Sequence, residues 1–260
     1  MYKRLLKTLM DDFAPMLQDV SQMISEMYHS TPHASLLDLV RQLILMFHSH
    51  PTFLPLVKRL MSSICVKTLD LFQTGIQTHT DVVEGFMTLL AQVLKKTKHL
   101  MAEGSVNVPG LFHAGVISLS VPEHHTVKAA CSFLVEFLSI GSENMAVQQI
   151  IDLHGHLLID RILRAVSGES PRGVMDSMAD VLLAMNKYHF DHLVKWLNEA
   201  VSKEGYPTLR VSKTDKEQFV RAVLRERMNK RKIRETVKEF TLLCRGLLGT
   251  EYAAQVAAVI

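Results

Sequence analysis

The 260-residue sequence is poor in the residues that build sheets and turns: aromatics make up 7%, with one Trp, and Gly and Pro number only 12 and 8. Few breakers beside abundant Leu, Met, Ala and Val disfavour a β-rich fold with its many turns. Three cysteines, Cys65, Cys131 and Cys244, stand far apart in apolar patterns, which is neither a disulfide framework nor a zinc motif. There is no N-x-[ST] acceptor. No window reaches the ~18 uncharged apolar residues of a membrane span; even Leu36 to Phe47 is broken by Asp38 and Arg41. Met1-Tyr2-Lys3-Arg4-Leu5-Leu6-Lys7 places charge where a signal peptide needs its apolar core. These absences together set the expectation of a chain in the cytosol or the nucleus.

Catalytic and cofactor motifs are equally scarce. Neither G-x-x-x-x-G-K-[ST] nor G-x-G-x-x-G occurs. Gly168-Glu169-Ser170 begins like a nucleophile elbow, but Arg172 occupies the second glycine position. Thirteen histidines include the clusters His124-His125, His154-Gly155-His156 and His189-Phe190-Asp191-His192. Of these, only His189 and His192 have the i,i+3 spacing that puts two ligands on one helix face. Structural histidines bonding a carbonyl are the competing reading. The expectation is no enzyme, no catalytic residue, no metal and no cofactor.

What is present in abundance is helical periodicity. Phe13, Met16, Leu17, Val20, Met23, Ile24, Met27 and Tyr28 mark one face of a helix, and later apolar runs follow the same period. The predicted helix pairs are 13–48, 54–97, 108–140, 144–186 and 188–229, with a terminal helix at 231–247 and residues 1–10 as the tail of a truncated repeat. Helix starts are expected from the cap pairs Thr31-Pro32 and Ser170-Pro171, and from the box spacings Asp81 to Glu84 and Thr214 to Glu217. First helices recur every 36 to 54 residues, the interval of HEAT or armadillo repeats. The predicted fold is therefore an all-α HEAT-repeat solenoid, a right-handed superhelical arch in one domain over 1–260. A compact helical bundle shares the periodicity but gives no reason for the recurrence interval.

The net charge of +3 is unevenly spread. Arg210 to Glu235 alone carries an excess of six positive charges, so the remainder is mildly acidic. Arg225, Arg227, Lys230, Arg231, Lys232 and Arg234 form a candidate partner patch. No aromatic interleaves them, so stacking on nucleic-acid bases is not provided for, and nucleic acid is not expected. A solvated helix face is the competing reading. Phosphate-driven binding to RNA or lipid through this patch would weaken steeply with salt.

Several segments resemble the importin-β (karyopherin) family of nuclear transport receptors. They are Phe13-Ala14-Pro15-Met16, the run Ala34 to Leu43, Thr126 to Cys131, Leu224-Arg225-Glu226-Arg227, Asn229-Lys230-Arg231, Val237 to Leu247, and Gly249-Thr250-Glu251-Tyr252. The resemblance covers essentially the whole chain and is most specific at its end. It implies the C-terminal arch of a longer carrier whose N-terminal repeats make the main contact with Ran-GTP. It further implies protein cargo on the concave face, Phe-Gly nucleoporins between convex helices, and no membrane partner. The second helix of each pair would line the concave side, beginning near residues 32, 80, 123, 171 and 213. Exposed polar residues on those helices are the cargo-contact candidates: Asp38, Arg41, Gln42, Asp81, Glu84, Lys128, Asp176 and Asp180. Their competing role is a ladder between repeats. The alternative function is a Ran-independent helical-repeat scaffold.

Overall fold

A computed structural model describes residues 14–98 and 106–250. The expected tail over residues 1–10 and the matched Glu251 and Tyr252 lie outside the described residues. Eleven α-helices and no strand occur among those described. In chain order they are α1 (Leu17–Ser30), α2 (Ala34–Phe47), α3 (Leu54–Gln73), α4 (Thr80–Lys96), α5 (Val108–Ser118) and α6 (His124–Gly141). They continue as α7 (Met145–Arg164), α8 (Met175–Tyr188), α9 (Phe190–Ser202), α10 (Lys213–Arg225) and α11 (Lys230–Arg245).

The helices form two stacked rows. One contains α1, α3, α5, α7, α9 and α10, and the other contains α2, α4, α6, α8 and α11. Neighbours in the second row are packed more closely than those in the first, so the stack bends toward the second row, here called the inner row. Apolar stripes such as Val83, Phe86, Leu90 and Leu94 of α4 and Val127, Leu134 and Phe137 of α6 are fully or almost fully buried. Each helix pair has a second apolar side that only the next pair covers, which is how a solenoid acquires a continuous core.

The polar contacts repeat the same offset. Tyr28 Oη and Thr68 Oγ1 share a hydrogen bond across 40 residues, and Thr126 Oγ1 donates to Thr80 O across 46. Buried Ser170 Oγ donates to Leu119 O, and His189 Nε2 donates to Leu138 O, each across 51 residues. Ser170 is thus an inter-repeat tie rather than a nucleophile, and His189 is a core histidine. Two glycines permit the close approach: a Cβ on Gly141 would lie 2.7 Å from His189, and one on Gly155 would lie 2.5 Å from Trp196.

At the end of the array the row order departs from expectation. The helix beginning near residue 213 was to follow α8 in the inner row, but α11 takes that place while α9 and α10 both lie in the outer row. Two contacts explain the exchange. Phe219 of α10 stacks on Phe240 of α11 with centroids 3.9 Å apart, so α10 covers the outer side of α11. Arg245 at the end of α11 reaches back 75 to 80 residues, donating to Ala165 O, Val166 O and Ser170 O. Those carbonyls belong to the π-turn Ala165–Glu169 that ends α7, and to the residue after it. Buried Asn186 of α8 completes the junction by donating through Nδ2 to Val223 O at 2.7 Å and Glu226 O at 3.0 Å, where α10 ends.

Helix starts also differ from those expected. The first residue of α2 is Ala34, capped by His33, whose Nδ1 accepts from Ser35 N. His79 precedes α4 without a side-chain cap, which puts Asp81 inside the first turn. The capping box of α10 is Ser212 with Asp215, two residues before Thr214 and Glu217. Both spacings satisfy the box pattern, and the one where the chain leaves extended geometry forms it. Pro171 starts a 3₁₀ turn, Arg172–Val174, before α8.

Two expectations test this frame. Arg245→Ala strips donors from three carbonyls and should cost about 2 to 4 kcal/mol in urea unfolding; a loss within measurement error would show that the π-turn holds α11 without the guanidinium. Burial pushes the His189 imidazole below its ordinary value of 6.5, outweighing the Leu138 bond. A depressed value means that His189 stabilises the fold above about pH 6.5 and that this contribution fades as pH falls below it. His189→Gln should therefore flatten the drop in melting temperature between about pH 7.5 and 5.5; an unchanged slope would exclude His189 as its source.

Candidate functional site

The inner row presents a polar groove where α4, α6, α8 and α11 meet. A cavity of ≈ 270 Å³ there is lined by Gln92 and Lys95 of α4, Ser132 and Glu136 of α6, Ser177 and Asp180 of α8, and Lys230 of α11. Its position follows from helical spacing: Lys128, Ser132 and Glu136 advance by four residues along one face of α6, and Glu84, Gln92 and Lys95 advance by eight and three along α4. Asp180 and Lys230 were candidates from sequence. Gln92, Lys95, Ser132, Glu136 and Ser177 were not. For the first four the signal was the continuation of the Glu84 and Lys128 stripes by further turns, and for Ser177 it was its place three residues before Asp180 on α8.

At one edge of the groove the candidate acids and bases meet each other. Arg234 grips Asp180 with two guanidinium nitrogens, Nε to Oδ1 at 3.0 Å and Nη2 to Oδ2 at 2.8 Å. Lys230 Nζ lies 3.0 Å from the same Oδ2. One turn away, Lys238 Nζ is 3.0 Å from Asp176 Oδ1, an ion pair without hydrogen-bond alignment. Acids four residues apart on α8 thus face bases four apart on α11. Asp180 is 21% exposed and Arg234 34%, so this bidentate pair is screened less than a surface bridge. Its hydrogen bond to Asp180 raises the Arg234 pKa further above the ordinary guanidinium value.

The other candidates are dispersed. Asp38 accepts from Arg41 and, at 2.6 Å, from Gln42 Nε2, a cluster within α2. Asp81 and Glu84 of α4 and Lys128 of α6 are exposed; none of the three lines the groove cavity. In the basic segment, Arg231 bonds Glu235 within α11 at 2.9 Å, and the Arg227 guanidinium sits 3.8 Å over the Phe190 ring. Arg225 and Lys232 are exposed, and Met228 between them is 80% exposed.

Histidines and cysteines serve the packing. His192 Nε2 lies 3.3 Å from Asp152 and its ring tilts against Trp196, while His154 meets His113 edge-on across the α5–α7 contact. Cys65, Cys131 and Cys244 are free and buried, and burial pushes the Cys244 thiol up to about 12. No group of three or more His, Cys, Asp or Glu able to hold a metal occurs among the described residues. No helix among them is long and apolar enough to cross a membrane.

A double-mutant cycle on Asp180→Ala and Arg234→Met measures how far the groove edge is structural. Each single change should cost roughly 1 to 2 kcal/mol, with a coupling energy of at least about 0.5 kcal/mol. Coupling near zero in urea unfolding would show that the two helices are held by packing alone.

Comparison with known proteins accounts for this architecture. Residues 119–193, spanning α6 to α8, match the family model described as the importin 13 repeat. Over 253 residues, 97% of the chain, the sequence is 45% identical to importin-13 of Gallus gallus and 42% identical to that of Homo sapiens. A weaker match, 26% over 136 residues, covers 52% of this chain and 13% of importin beta-like protein kap111 of Schizosaccharomyces pombe. The chain spans about a quarter of the length of the importin-13 relatives, 26% in each. A solved structure of importin-13 in its cytosolic state superposes with a TM-score of 0.89 at 24% identity, covering 94% of this chain and 28% of that one. That likeness makes the fold an α-solenoid of HEAT repeats.

Proposed function

Because the chain is importin-13-like along nearly its whole length, we propose that it is the cargo-holding segment of a nucleocytoplasmic transport receptor. The observation that carries this reading is the 97% coverage at 42 to 45% identity. The function is binding, not turnover. Protein cargo would lie along the inner row, with Asp38, Arg41, Gln42, Asp81, Glu84 and Lys128 as peripheral contacts and the groove around Asp180 and Lys230 as a central one. The groove holds both signs of charge, Lys95 and Lys230 beside Glu136 and Asp180, which suits a folded cargo surface of mixed charge.

Ran-GTP would control release in the whole receptor. Small rotations at each helix–helix seam sum to a large change of curvature in a solenoid. A change of curvature shears the α8–α11 junction, where Asp180 chooses between Arg234 and a cargo cation. Phe-Gly nucleoporins would dock between outer-row helices, and the receptor would work in both cytoplasm and nucleus. Its relatives bear the names of importins rather than of enzymes.

Bait pull-down from cytosol, read by mass spectrometry with and without excess GTP-locked Ran, tests the reading. We expect a discrete set of proteins retained by the wild-type chain and lost from an Asp180→Lys, Glu136→Lys variant of unchanged helix content. Displacement by Ran-GTP places the switch within this segment. Retention indifferent both to Ran and to the groove substitutions would replace the carrier by a static scaffold.

A further inference from the structure

On the outer row, away from the groove, one cation is buried without a counter-ion. Lys216 of α10 is only 5% exposed. Its Nζ donates to Lys203 O at 3.2 Å, where α9 ends. No carboxylate among the described residues pairs with it; neighbouring Asp215 is engaged by Ser212 and neighbouring Glu217 by Arg221. An ammonium carries three donors, and one carbonyl takes one of them. An ammonium held this far from the surface gains strongly from an anion within its reach.

The surroundings favour that anion. Lys216 lines a cavity of ≈ 580 Å³ between the end of α9 and the start of α10. Lys203 and Lys213 line it too, with Val201 and Val211 as apolar wall and Glu204 and Glu217 at the same opening. Lys213 and Lys216 fall in the first turns of a 13-residue helix, where the macrodipole disfavours cations and favours anions. Two lysines set against the dipole, one of them buried, gain a partner if an oxyanion occupies the space between them.

We propose that this cavity is a phosphate-monoester site that takes a phosphoserine or phosphothreonine of a protein partner, with Lys216 as the buried cation and Lys203 and Lys213 at the rim. The volume exceeds that of an inorganic phosphate, and the Val201–Val211 wall suits the carbon stem that a phosphorylated side chain brings. The site uses none of the inner-row residues, so it stands or falls independently of cargo binding in the groove.

The test titrates the full chain, at constant ionic strength, with a phosphoserine peptide, its unphosphorylated twin and inorganic phosphate. Binding is read by calorimetry and by amide shifts. The phosphopeptide should bind at least roughly tenfold tighter than its twin and shift the amides of residues 203–205 and 212–217. Lys216→Met keeps the aliphatic stem and should lower phosphopeptide affinity by roughly tenfold or more while leaving the melting temperature unchanged or higher. Lys213→Ala, on the exposed rim, should weaken binding roughly threefold without touching stability. Equal affinity for both peptides, or full affinity in Lys216→Met, would overturn the proposal, and a lowered melting temperature in that variant would reduce Lys216 to a cap on α9. Inorganic phosphate binding as tightly as the phosphopeptide would overturn the assignment to a partner's side chain.

Discussion

No helix pair in this chain can close its own core, and that constraint governs everything built upon it. Phe86 and Leu90 of α4 are fully buried, in a helix whose row neighbours are α2 and α6. Remove either neighbour and a two-sided apolar helix is left with water on one side, at about 25 cal/mol for each Å² uncovered. The array therefore holds as a sum of seams rather than as one centre. Several buried polar groups reach across the same seams: Tyr28, Thr126, Ser170 and His189 each find a partner one repeat away.

The seams also decide which charges are left for partners. Where an inner-row acid faces an inner-row base at one helical turn, as Asp180 faces Arg234, the pair is drawn into the seam and stiffens it. Lys128 and Lys232, by contrast, are exposed to solvent. The groove lies where these two cases meet. Asp180 and Lys230 line the cavity while also paired across the seam, so a ligand that competes for either loosens α8 from α11.

The junction after α8 shows how the array changes its rule without breaking it. Two consecutive outer helices, α9 and α10, leave the inner row waiting for α11. Arg245 closes the gap by serving three carbonyls freed where α7 ends in a π-turn, and Asn186 serves the end of α10 from below. Polar side chains do this work because helix ends expose carbonyls that apolar packing cannot satisfy. Farther along, Lys216 donates to the Lys203 carbonyl where α9 ends.

Helix existence was legible throughout, because a 3.6-residue apolar period declares itself over any four turns, and the recurrence interval pointed to stacked pairs. Helix starts were less legible: Ser212 and Thr214 both fit a capping box, and only the backbone's entry angle selects one. Of the candidate site, the charges were visible as residues but not as pairs. Asp176 and Asp180 read as cargo contacts or a ladder between repeats, and Lys230 and Arg234 as a separate basic patch; that α11 lies on α8 and pairs them is visible only in the fold. Local pattern determines helix, face and composition, since these depend on residues within one or two turns. Row order, the groove and the burial of Lys216 without a counter-ion were decided only by tertiary structure, because each depends on which residues 13 to 80 apart come within hydrogen-bonding reach.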